Sequence, residues 1–339
     1  MWALMVPACG GTSTPPKAAE TPQPAPGEKA ATTGSAAPAS TAPPTDQTRP
    51  PPADTAGPEG AIGDPKVTLV SPGKDPKAEL RYAPKANQTA ATTMTMELGL
   101  ASKIGDQSMP AVSLPKMVAE LTTHVTTVAP DGTISYDFEV KSAKAFRGKD
   151  VKPEVLKKVD AEFGKIAGLK GHATVTGRGM TRELQMDVPA ASDPSVQQMV
   201  DSLRQSLRQM SNPLPEEPVG IGAKWDAEQA YRMQGMQFKQ VSHSTLAARK
   251  GNKVTVQVEI EQSAEPQAIQ LPNIPPGAQA KLVSLSSHGN GKLQTDLTRL
   301  TPFKSDMALI SKIEIEASQG TQTNRLVTDV TMKMEMKSP

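Results

Sequence analysis

The sequence predicts a mainly β fold with two helices (α+β): an antiparallel curved sheet or partial barrel packed against two amphipathic helices. Three observations carry that expectation. From about residue 78, run after run places apolar residues at every second position. Turn signals rich in Gly, Asn and Asp separate the runs. Two stretches, 152–168 and 194–211, change instead to a spacing of three to four.

The elements follow in order. Met94, Met96, Leu98 and Leu100 alternate with polar residues. Leu121, Thr123 and Val125 lead to the Pro130-Asp131-Gly132 turn and then to Ile134, Tyr136, Phe138 and Val140, a hairpin. Val155, Val159, Phe163 and Ile166 recur at helical spacing, with Pro153 in the first turn and Gly168 and Gly171 at the end. A second hairpin joins Ala173 and Val175 through Gly177-Arg178-Gly179 to Leu184, Met186 and Val188. Val196, Met199, Val200, Leu203, Leu207 and Met210 form the second helical stripe, with Asp193 as cap, Pro194 at its first position and Pro213 as stop. A third hairpin runs from Met236, Phe238 and Val241 through Lys250-Gly251-Asn252 to Val254, Val256, Val258 and Ile260. Leu282, a Gly289-Asn290-Gly291 turn, and Leu293, Thr295 and Leu297 read as a fourth. Leu309, Ile313 and Ile315 pair through Gly320 with Leu326, Val330, Met332, Met334 and Met336. Alternation this strict means one sheet face is covered and the other is wet. The two Gly-x-Gly segments echo one another, which suggests two halves of similar plan.

The front of the chain differs. Of 339 residues 37% are hydrophobic and 3% aromatic, and 14 of the 32 prolines fall within residues 1–66. Residues 10–77, rich in Pro, Ala and Thr, read as a disordered tether, because too little apolar side chain is present to offset its ordering entropy. Residues 78–339 read as the β-rich body. Before the tether, residues 1–9 end in Cys9, the single cysteine. Val6 three residues before it and Ala8 directly before it resemble the end of a bacterial lipoprotein signal peptide, truncated here. Pro7 departs from that pattern, and no charged or full apolar region precedes it. The reading allows a true start upstream of Met1. Cys9 is the expected lipidation site, since its thiol takes the diacylglycerol and two or three acyl chains anchor firmly.

Together with Cys9 and the tether, the stretch Pro218-Val219-Gly220-Ile221-Gly222-Ala223-Lys224-Trp225 resembles the "P-V-G-x-G-x-x-W" step of an uncharacterised family of bacterial envelope lipoproteins. The resemblance spans residues 78–339 in outline and brings no activity with it. More distantly, a long curved sheet with helices across one face resembles the periplasmic carriers of lipoproteins and lipids, an analogy of fold alone.

Catalytic and metal chemistry is sparsely represented. A net charge of +2, with Lys and Arg dispersed among nearly as many Asp and Glu, argues against nucleic acid as a partner. His124, His172, His243 and His288 lie far apart, without the spacing that marks a metal site. Ser71-Pro72-Gly73-Lys74 and Ser113-Leu114-Pro115-Lys116 fit Ser-x-x-Lys, but proline interrupts both, and that chemistry needs the pair one helical turn apart. No phosphate loop and no nucleophile elbow occurs. Trp225 reads as a core anchor rather than a ligand contact. The 16 methionines suit an adaptable core or a lipid cavity equally.

The expectation is therefore a lipid-anchored, non-enzymatic cell-envelope protein without a cofactor or metal. Acylated Cys9 would hold it to the membrane, with the body in the periplasm or at the cell surface. The body would bind an apolar, lipid-like ligand or an envelope protein. The alternative is a structural or interaction module with a filled core and no ligand. A third class, an enzyme with dispersed carboxylates, is left open by sequence.

Overall fold

Alternation of side chains becomes the ladder of one large antiparallel sheet. The structure is a computed structural model that describes residues 60–148, 150–187, 200, 213–233, 235–269, 278–319 and 322–339. The described residues group as one unit. In chain order the elements are β1 (Gly60–Ser71), β2 (Thr89–Ile104), β3 (Gln107–Ser108), β4 (Val112–Ser113), β5 (Lys116–Val128), β6 (Ile134–Phe146), α1 (Pro153–Gly164), β7 (Lys170–Val175), β8 (Thr181–Asp187), β9 (Lys224–Met233), β10 (Met236–Lys250), β11 (Lys253–Ala264), β12 (Gln267–Ile269), β13 (Gln279–Asp296), β14 (Lys304–Gln319) and β15 (Gln322–Lys337). The strand order is β1-β9-β10-β11-β13-β14-β15-β2-β5-β6-β7-β8, with β3 and β4 on β2 and β12 on β13.

The ladder does not close on itself, yet its two ends approach. Arg182 on β8 forms an ion pair with Asp64 on β1. The segment before β2 adds a second tie. The Tyr82 amide donates to the Gly177 carbonyl at 2.7 Å, and the Ala83 amide to the Leu297 carbonyl at 2.7 Å. Arg178 and Arg81 donate to the carbonyls of Leu214 and Pro215, each at 2.9 Å. An open sheet is thus curled, with its apolar face inward.

The local hairpins form as their turns dictate. Asp131 accepts the Thr133 amide at 2.9 Å, which holds its carboxyl below the ordinary range, and Gly132 takes φ +82°. β5–β6, β7–β8, β10–β11 and β14–β15 pair as the spacing implies. The Pro218–Trp225 step has a packing role. A Cβ on Gly220 would sit 1.6 Å from the Lys74 carbonyl oxygen, so only glycine lets the two backbones cross there.

Four expectations need correction. First, the sheet is not packed against two helices. Among the described residues there is one helix, α1, shorter than the 152–168 expected. The expected helix 194–211 lies outside the described residues, apart from Val200, which is helical and buried. The physical reason is that the sheet covers itself. Residues of both arms, Tyr136 and Phe138 on one and Val258 and Ile260 on the other, line one common space, so a helical layer is needed only locally. α1 meets that local need through Phe163, packed with Met117, Phe138 and Val140.

Second, Gly289-Asn290-Gly291 is not a turn. β13 runs straight through it for 18 residues. A Cβ on Gly289 would approach the Ala308 carbonyl oxygen and Leu309 Cδ1 at 2.7 Å, so the glycine serves close strand approach. Gly177-Arg178-Gly179 is a true turn, so the two segments do not occupy equivalent places. Third, the fold begins inside the expected tether. Val67 and Leu69 of β1 pair with Ala227 and Trp225 of β9. Fourth, Val241 lies on the opposite face from Met236 and Phe238, because the inward phase of β10 continues through Gln240, Ser242 and Ser244.

Candidate functional site: an interior cavity

The curled sheet flanks a partly open cavity of about 270 Å³, just below the usual size of ligand pockets. Register explains its wall. Met307, Met334 and Met96 are direct cross-strand neighbours on β14, β15 and β2. Met336 and Met94 form the next rung. Six methionines in all face the cavity: Met94, Met96, Met307, Met332, Met334 and Met336. Unbranched thioethers conform to varied apolar partners. Leu121, Tyr136, Phe138 and Val175 supply one arm of the curl, and Val258 and Ile260 the other.

The wall also carries a polar ledge. Gln240, Gln262, Ser287 and Ser311 stand in register on β10, β11, β13 and β14. Gln262 Nε2 donates to Gln240 Oε1 at 2.8 Å, and Gln240 Nε2 to the Ser242 hydroxyl at 3.4 Å. Gln262 Oε1 has no partner among the described residues, although the side chain is 6% exposed. The Ser287 and Thr301 hydroxyls also lack one among those residues. Gln240, Gln262 and Thr301 line the cavity. Tyr82 and Tyr136 border it as well, and burial pushes each phenol up to about 12.

The residues singled out from sequence fall elsewhere. Cys9 lies outside the described residues. The histidines stand on strands with outer-face partners: His124 meets Thr89 at 3.0 Å, His172 meets Asp137 at 2.9 Å, and His243 meets Asp226 at 2.7 Å. His288 lies 3.9 Å from Glu261. No group of three metal-ligating side chains occurs among the described residues. Ser71 ends β1 and Lys74 follows in a loop, while Ser113 and Lys116 belong to separate strands, so neither Ser-x-x-Lys segment is helical. Trp225 is fully buried away from the cavity, its Nε1–H donating to the Pro213 carbonyl at 3.0 Å.

Sequence reasoning missed Gln262 and Gln240. A signal existed for the first. Gln262 continues the inward phase of Val254, Val256, Val258 and Ile260, so a polar residue stands where the pattern demands an apolar one.

Comparison with known proteins adds little. Residues 195–299 match a family described as a family of unknown function, DUF6263. No curated protein matches the chain significantly. Among solved structures, the chain is similar to the Salmonella typhi OmpF complex with daunomycin, at 5% identity over 74% of this chain and 98% of that one. Its TM-score of 0.23 is too low to carry an argument.

Proposed function

We propose that this is a lipid-anchored cell-envelope protein, non-enzymatic, whose body holds one apolar, lipid-like molecule inside its curled sheet. The observation that carries the reading is the methionine-lined cavity. A core meant only for stability would fill such a space, since each void forfeits packing energy. Here flexible thioethers surround the space on adjacent strands. The volume suits a single short acyl chain or a molecule of that size. Cys9, with Val6 and Ala8 before it, supports the membrane tether.

The test is native mass spectrometry of the full chain purified gently from membranes, followed by solvent extraction of the bound material. A stoichiometric adduct recovered as an apolar molecule is expected. A bare polypeptide mass overturns carriage of a tightly held ligand and favours an interaction module. Cys9→Ala is expected to release the protein from the membrane fraction. Unchanged membrane retention of that variant overturns the anchor.

A further inference from the structure

We infer that the cavity selects a neutral amphiphile bearing a hydroxyl or amide N–H, and that this group donates a hydrogen bond to Gln262 Oε1. The inference rests on the cavity reading above and deepens it.

The argument begins with hydrogen-bond direction. Donation along the ledge runs from Gln262 to Gln240 to Ser242. The chain therefore ends, on its donor side, at a carbonyl oxygen without a partner among the described residues. A buried acceptor left unmade is costly, and Gln262 is 6% exposed on the wall of a cavity whose lining mixes methionines with Thr, Ser and Gln. The oxygen itself is covered, so a ligand reaches it when the Gln262 side chain turns toward the cavity it lines, and what fits it there is a donor. Thr301, also on the lining, offers a second hydroxyl without a partner among the described residues, and it can donate or accept.

Charge then narrows the class. Lys292 and Asp306 are the charged residues that border the cavity. By alternation they belong to the outer phase, since Gly291 and Leu293 flank the first, and Ser305 and Met307 the second. Lys292 is exposed, and Asp306 sits 3.4 Å from Lys304. The remaining lining side chains are uncharged. A carboxylate or phosphate would lose its hydration and meet a carbonyl oxygen instead of a cation, which is strongly unfavourable. A hydroxyl meets its complement, and its alkyl chain lies against Met96, Met334 and Met307.

The test uses the delipidated full chain and isothermal titration calorimetry with four probes: dodecanol, dodecyl methyl ether, dodecanoate and dodecane. Dodecanol is expected to bind about tenfold tighter than the ether, which keeps the oxygen but not the donor. Dodecanoate is expected to be weaker than dodecanol by about tenfold or more. In Gln262→Met the preference for alcohol over ether falls to parity. Should that variant not fold, the alcohol-to-ether ratio in the native protein still decides. Equal binding of alcohol and ether overturns the hydroxyl inference and leaves the cavity reading standing. Dodecanoate binding as tightly as dodecanol overturns the neutrality. Failure of all four probes, dodecane included, overturns both readings.

Discussion

The inward face of this sheet is built in two manners. Around Trp225 it is filled: Leu80, Leu214, Leu246 and Val256 are all at 0–1% exposure and touch within one cluster. On β14 and β15, Met307, Met332 and Met334 are only half-buried and line the cavity, with Met307 and Met332 also packed against the edge of that cluster. Both regions arise from the same alternation on the same curled ladder. The difference lies in side-chain shape. Rigid, branched and aromatic groups interlock around Trp225, whereas the unbranched methionine side chains leave room. The packed part is expected to carry the stability, and the open part is where we propose that a ligand sits.

The largest effect that would sharpen this contrast is at the packed end. Trp225→Ala is expected to cost about 3–5 kcal/mol in chemical denaturation, as it empties a filled site and strands the Pro213 carbonyl. A loss below about 1 kcal/mol would mean that the region is not the anchor described. Next come the phenols at the cavity border. Their ordinary value is near 10, and burial raises Tyr82 and Tyr136 to about 12. The unfolded chain therefore ionises first as pH rises. Stability is full below about pH 10 and falls through about pH 12, by about 3 kcal/mol for each group. Phenolate absorbance should show these two tyrosines titrating late, and ordinary titration of both would break the claim that they are dry.

A smaller effect has the opposite sign. Ser287→Ala removes a fully buried hydroxyl that has no partner among the described residues. It should stabilise the protein by about 1 kcal/mol in thermal denaturation, and destabilisation would show that the hydroxyl is satisfied. The smallest effect belongs to the open wall. Met334→Leu conserves volume and should change stability by less than about 1 kcal/mol. A cost near that of Trp225→Ala would erase the distinction between the two regions.

Legibility in the sequence followed the range of the interactions. The β5–β6 hairpin was readable because Asp131 and Gly132 decide their own turn. α1 was readable in type, because Val155, Val159 and Phe163 repeat locally. β1 was hidden by the Pro-rich composition around it, since only its pairing with β9, far along the chain, makes it a strand. The fourth hairpin failed because Gly289 signals a turn locally, while the demand it meets is set across the ladder by Ala308 and Leu309. The cavity depends on rungs that join β14, β15, β2 and β5, and no local spacing reports such register. Gln262 alone was visible in principle, as a polar residue in an apolar phase.

Topology carries a consequence for biogenesis. β15 comes last among the strands in sequence, yet it sits mid-sheet between β14 and β2. Until it is made, the strands that precede it form two separate arms with bare edges, each a template for pairing with another chain. Joining residues 322–337 to residues 89–104 also demands closure over most of the body, which slows folding. A nascent chain of this design should therefore depend on holding factors until residues 322–337 emerge, and loss of that strand should favour aggregation over a smaller fold.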